Sequence, residues 1–334
     1  MTTGTPRAAR SGFAGVDAVC TVVARLRWAV AAILMACLAV SASAETVVVV
    51  SSDSLTSTRR TISGARSAIR AERDDVEFVY VQLQTASGSI QEQLEEIAAA
   101  DPDLILTVGS AATRVAREGF PDKPIVFSSV MYPVISGFVE SIEQPGNNMT
   151  GASLDIPVDI QFRYFRQIVP DLDEVGVLYT SNTAPLIPEA TGVAAEMGIT
   201  LHALEVASHK DLPRALDSLC TFVDGLWSVA DQNLFDPQST KYILLNSLRH
   251  GVPFMGFSRY VVESGALFAL DFDYKAIGRQ AGSQATAILD GAEPGTMPVT
   301  VPDIIWFHYN EKTAVHIDIN IPNDLVAIAK EVYR

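Results

Sequence analysis

The run Thr46-Val47-Val48-Val49-Val50 limits the possible folds of this chain more than any other stretch. β-Branched residues stand in a row with no polar alternation. A strand with one wet face alternates; an unbroken run suits a parallel strand covered by helices on both faces. Similar strands recur at 77–81, 104–108 and 125–127, separated by helical stretches at 56–71, 90–100 (behind a capping Ser89) and 113–118. Strand and helix in strict turn predict a parallel sheet with helices on both faces. A short amphipathic helix is expected over 137–142, before the breaker cluster Gln144-Pro145-Gly146-Asn147-Asn148.

Beyond Asn148 the same order begins again. Helices are expected at 159–168, 185–197, 210–219 and 237–250, and strands at 175–179, 200–206, 223–229, 252–257 and 266–274. Two such series in 334 residues fit two domains. The expected fold is α/β: two doubly wound parallel-sheet lobes, the first over 45–150 and the second over 151–273. The late elements are a helix at 275–289, a strand at 304–310, a helix at 311–317 and a terminal helix at 322–333. They are expected to return to the first lobe, so that 274–334 complete it.

The first 44 residues have a different character. Arg25 and Arg27 precede an apolar run of 13 residues, Trp28 to Val40, which ends in Ala42-Ser43-Ala44. A basic start, an apolar centre and a small-x-small end form a secretory signal. The run is short of the ~20 residues a spanning helix needs. Cleavage after Ala44 would leave an exported, periplasmic chain; a lipid anchor through Cys37 is the less favoured alternative. Cys220 is then the lone cysteine, which excludes an intramolecular disulfide and leaves stability to the core.

Without the leader the chain carries 20 basic and 38 acidic residues, a net of −18. Such a body argues against nucleic acid as a partner, because phosphate binding rests on Lys and Arg. The five histidines are scattered with no metal-ligand spacing. Gly151-Ala152-Ser153-Leu154-Asp155 lacks the last glycine of a nucleophile elbow, and no phosphate loop or dinucleotide fingerprint occurs. No cofactor, metal or catalytic residue is expected.

Several blocks together resemble a known family. They are Ile125-Val126-Phe127-Ser128-Ser129-Val130 with Pro133, Gly137-Phe138-Val139-Glu140-Ser141, and Gln144 through Gly151. Val175-Gly176-Val177-Leu178-Tyr179, Gly265-Ala266-Leu267, Asp273-Tyr274 and Gly278-Arg279-Gln280-Ala281-Gly282 continue the match. The chain resembles the ABC-transporter substrate-binding proteins, in the group that includes tryptophan- and tyrosine-type binders, over about residues 46–313. The resemblance implies a type I periplasmic-binding-protein fold, with a three-strand hinge crossing near 150–154, 269–274 and 306–310 or beyond. It also implies a monomer that closes on a small, amino-acid-like ligand and delivers it to a membrane ABC permease. The alternative is a periplasmic sensor that docks on a signalling receptor. An enzyme and a transcription regulator of the same fold are weaker rivals, the regulator because an export signal occupies the place of a DNA-binding motif.

Strand ends and helix N-termini should line the cleft of such a fold. Ser110 and Ala111 offer backbone N–H groups for a ligand carboxylate, or merely begin a helix. Ser128 and Ser129 can donate to the same group, or simply end a strand. By the resemblance Asp231 and Asp273 can hold an ammonium; Asp273 can equally cap the helix after it. Ser181, Asn182 and Ser258 are hydrogen-bonding candidates, and Arg259 can clamp a carboxylate. Tyr132, Tyr179, Phe257 and Tyr260 can wall a pocket or fill a core. Asp271 stands where the family often has glycine, which makes the expected pocket floor bulkier and more acidic.

Overall fold

The computed structural model describes residues 44–83 and 90–334, together with residues 1, 2 and 4. Residues 3 and 5–43 of the leader, with Cys20 and Cys37, and the capping Ser89 lie outside the described residues. Residues 45–334 form one compact unit.

The first lobe is built from β1 (Thr46–Ser51), α1 (Thr56–Glu72), β2 (Glu77–Gln82), α2 (Ile90–Ala99), β3 (Leu104–Val108), α3 (Ser110–Gly119), β4 (Ile125–Val130) and β5 (Met149–Ser153). Its sheet runs β2-β1-β3-β4-β5, with every pairing parallel. The uninterrupted valines of β1 behave as the pattern demands. Val47 and Val49 pack into the core on one face of the sheet, Val48 and Val50 into the core on the other. Each such valine contributes about 1.5–3 kcal/mol of hydrophobic stabilisation.

The second lobe follows with α4 (Val158–Ile168), β6 (Glu174–Tyr179), α5 (Ile187–Glu196), β7 (Thr200–Glu205), α6 (Leu212–Leu219), β8 (Gly225–Ser228), α7 (Pro237–His250), β9 (Phe254–Gly256), α8 (Arg259–Glu263) and β10 (Phe268–Phe272). The chain then makes α9 (Tyr274–Leu289), β11 (Ile305–Asn310), α10 (Glu311–His316), α11 (Asn323–Ile328) and β12 (Ala329–Tyr333). The second sheet runs β12-β11-β10-β9-β8-β6-β7, parallel except where β11 opposes β10.

Four expectations are corrected. Only α9 and the segment after it return to the first lobe, where Ile277, Ala281 and Ala285 join Val47 and Val49 in one core. β11 and β12 stay in the second lobe, because Phe307 and Tyr309 bury against Phe165 and Phe268. The third crossing is therefore 301–304, ahead of β11, beside crossings at 154–157 and 272–273. The terminal helix stops at Ile328, and Ala329–Tyr333 pair with β11 as a strand. Ala-Lys-Glu-Val-Tyr is a tolerable helix sequence, and the open edge of β11 outweighs that weak propensity.

The last correction concerns 137–142, where the end of a turn and irregular bends replace the helix. Gly137 has φ of 69°, which no right-handed α-helix accepts. Phe138 and Val139, adjacent in sequence, are both buried in the first lobe's core.

Candidate functional site

The carboxyl ends of parallel strands and the crossings between lobes surround a cleft of about 860 Å³. The first lobe supplies Met131 to Ile135 and Glu140 to Glu143, from the irregular segment after β4. The crossings supply 154–157, Phe272 and Val301. The second lobe supplies Gln161, Pro185, Leu186, Glu189, the end of β8 from Trp227 to Ala230, Met255 to Phe257, and Leu270. This volume is in the range of small-molecule sites.

Asp155 dominates the chemistry of this cleft. It follows β5 directly, where the chain leaves the first sheet. Its Oδ2 and Oδ1 accept from the Tyr132 backbone N–H at 2.9 and 3.1 Å. Burial pushes its carboxyl up to about 6, opposed by the Ser153 and Tyr132 hydrogen bonds and reinforced by the charge of Glu189. Tyr132 is itself held in the left-handed region, as is Ser129 with φ of 56°. Non-glycine residues adopt that conformation at a cost of about 1–3 kcal/mol, and such strain collects at ligand sites. The Tyr132 phenol crosses the cleft and accepts from the Ala230 N–H at 3.2 Å. Burial first, and then the Asp155 charge, push that phenol well above the usual tyrosine range, so it stays neutral.

The second lobe's wall is rigidly braced. Gln161 accepts from the Trp227 indole at 2.8 Å and donates to the Ile156 carbonyl at 2.7 Å. Trp227 also meets Phe162 edge-on at 5.2 Å, and Phe257 meets Phe235 at 4.9 Å. One aromatic face is thus positioned beside a polar corner.

Of the residues singled out from sequence, Tyr132 and Phe257 line the cleft. The others sit elsewhere. Ser110 and Ala111 begin α3, whose Ala112 N–H is already taken by the Ser52 hydroxyl at 3.0 Å. Ser128 is fully buried and its hydroxyl has no partner; Ser129 meets the Thr61 hydroxyl at 3.0 Å. Ser181 and Asn182 are exposed in the turn after β6. Asp231 is 2% exposed and accepts from Thr180, Thr183 and Asn233 within its own lobe. Burial opposes its ionisation, but these hydrogen bonds win and hold its carboxyl below the usual range. Ser258 precedes α8 without capping it. Asp273 caps α9 through the Lys275 N–H and pairs with Arg60 at 2.8 Å. Arg259 is engaged by Glu331 and stacks on Tyr260, and Asp271 lies outside the cleft lining.

Asp155, Glu189 and Trp227 are among the cleft residues that the sequence did not single out. For Asp155 a signal existed: a lone acidic residue between the last strand of one α/β series and the Pro157 that opens the next. Among the described residues no cluster of three or more His, Cys, Asp or Glu could hold a metal ion. No described helix is long and apolar enough to cross a membrane.

Two α/β lobes, three crossings and a cleft between facing strand ends define a binding protein of the type I periplasmic fold. The chain belongs to the ABC transporter substrate-binding protein family, whose profile matches residues 44–333. It is similar to a tyrosine-binding protein of Clostridioides difficile (strain R20291), 24% identical over 249 residues, 74% of this chain and 72% of that one. Among solved structures it is similar to an ABC domain in complex with L-Trp from Streptococcus pneumonia. That match is 21% identical with a TM-score of 0.62, over 87% of this chain and 100% of that one. It is also similar to the ligand-free, open structure of a substrate-binding protein with adhesive properties from Clostridium difficile. There the identity is 20% and the TM-score 0.72, over 86% and 99% of the two chains. The family and these relatives are binding proteins, not enzymes.

Proposed function

We propose that this chain is an exported solute-binding protein that captures a small, amino-acid-like ligand by hinge closure and delivers it, as a monomer, to a membrane ABC permease. The observation that carries the reading is the inter-lobe cleft, with its apolar walls around the half-buried Asp155. The secretory pattern before Glu45 supports export to the periplasm. The relatives named for tyrosine and tryptophan support a ligand with an amine and a ring.

Closure follows from the placement of the contacts. Tyr132 belongs to one lobe, Glu189, Trp227 and Phe257 to the other, and Asp155 to the crossing between them, so only the closed arrangement gives a small ligand all of them at once. A ligand that binds one state better shifts the population toward it.

A thermal-shift screen of the chain from Glu45 onward, against amino acids, amines, small carboxylates, nucleosides and sugars, tests the reading. A ligand at 100 times its Kd should raise folding stability by about 2.7 kcal/mol. The shift should be lost in Asp155→Asn. If no class shifts the melt, and mass spectrometry of denatured protein finds no co-purified ligand, small-solute capture is ruled out.

A further inference from the structure

The cleft has an unusual balance of charge. Glu140, Glu143, Asp155 and Glu189 all line it, and no Lys, Arg or His is among the described residues that do. Its neutral polar groups are largely committed. Gln161 holds Trp227 and Ile156, and the Ser228 hydroxyl donates to the Met255 carbonyl at 2.7 Å. Apart from the Tyr132 hydroxyl, which accepts from Ala230 and keeps its proton to donate, what is left toward the ligand is mostly acceptor: carboxylates donate nothing when ionised. The rest of the lining is apolar, with Met131, Ile156, Trp227, Phe257 and Phe272 offering flat and aliphatic surface. The one cation expected from sequence to clamp a ligand carboxylate, Arg259, is occupied by Glu331.

A zwitterionic amino acid brings both signs of charge. Its ammonium suits this lining; its carboxylate would face Asp155 and the exposed Glu140, Glu143 and Glu189, with no counter-charge among the described lining residues. We propose that the cleft selects a small organic cation, a protonated amine on a ring-bearing apolar body without a free carboxylate, with Asp155 and Glu189 holding the ammonium and Trp227 and Phe257 flanking the ring. This rests on the capture reading above and replaces its amino-acid-like ligand with the corresponding amine. The observation that carries it is the one-signed lining, in which Asp155 on the first crossing and Glu189 of the second lobe border the same cleft.

Matched pairs test it by calorimetry on the chain from Glu45 onward: tryptamine against tryptophan, tyramine against tyrosine, and each amino-acid methyl ester against its parent. Amines and esters should bind about tenfold or more tightly than the parent acids, with the advantage shrinking as salt is raised. Glu189→Gln and Asp155→Asn, checked for fold by circular dichroism, should each weaken amine binding about tenfold or more while changing the affinity of a neutral ring such as indole little. Amino acids binding as well as or better than their amines would overturn the charge inference and leave solute capture standing. Binding of neither series at millimolar concentration would overturn the inference together with the reading it rests on.

Discussion

Asp155 places a charge where the fold disfavours one. Its carboxyl is raised by burial from an ordinary value near 3.8 to about 6. The folded state therefore prefers the protonated form. The associated stability is present in full below about pH 3.8 and is lost as pH rises through about 6. Above neutrality an ionised Asp155 costs at most about 3 kcal/mol relative to a carboxyl in water. Asp155→Asn keeps an acceptor for the Tyr132 N–H and removes the charge. It should be more stable than the parent at pH 8 by about 1–3 kcal/mol, and nearly equal to it at pH 4. Urea melts at the two pH values check this; an advantage independent of pH would refute the charge explanation. The groups that act on Asp155 in that titration are Ser153, Tyr132 and Glu189. Tyr132→Phe makes a separate test. It deletes the acceptor of the Ala230 N–H and should cost about 0.5–1.5 kcal/mol. Amide hydrogen exchange should show lower protection at Ala230.

Element-scale packing explains why α9 leaves the second lobe. A Cβ built on Gly278 would come within 2.0 Å of the Thr61 carbonyl oxygen, and one on Gly64 within 2.1 Å of the Lys275 carbonyl oxygen. Gly282 approaches the Ala65 carbonyl in the same way, at 2.5 Å. The backbones of α1 and α9 thus touch where only glycine fits. Gly278→Ala should force the helices apart and cost more than about 2 kcal/mol. Gly192 inside α5 is the control: its Cβ would meet nothing within 4 Å. Gly192→Ala should stabilise by up to about 1 kcal/mol, from helix propensity alone. Chemical denaturation of both variants checks the opposite signs. The same scale shows what was legible in the sequence. The valine run of β1, the βα alternation and the two-lobe grammar rest on local periodicity, and the element order follows them closely. The lobe to which β11 and β12 belong depends on which sheet edge is free, and no local pattern carries that. Likewise Asp231 and Asp273 have the residue type and strand-end position of ligand contacts, but their partners, Thr180 with Thr183 and Arg60, come from other turns and helices. Asp155 gains its importance only once the crossing it occupies becomes the wall of a cleft.

At the scale of the whole molecule, the hinge and the cleft share the same residues. The crossings at 154–157, 272–273 and 301–304 are short, and two of them contain proline, Pro157 and Pro302. Short crossings confine the lobes to a narrow set of relative motions, and proline stiffens the backbone on either side of the pivot. The first crossing carries Asp155, so a ligand that grips this carboxylate pulls directly on the hinge. Tyr132, reaching from the first lobe to the Ala230 N–H of the second, already spans the gap that closure would narrow. Ligand saturation should therefore contract the molecule, with a smaller radius of gyration by small-angle scattering. Trp227 is only 4% exposed and lines the cleft, whereas Trp306 lies outside it, between the cations of Arg60 and Lys330 at 5.7 and 4.5 Å. Ligand-induced change in tryptophan fluorescence should consequently survive Trp306→Phe and be largely lost in Trp227→Phe, if the ring contact in the cleft is its source. A fluorescence change that persists in Trp227→Phe, without contraction in scattering, would mean that the ligand binds outside the cleft. Contraction that depends on Asp155 would tie the crossing carboxylate to the motion itself, because a side chain that only touched ligand from a rigid wall would alter affinity without changing the shape reached at saturation.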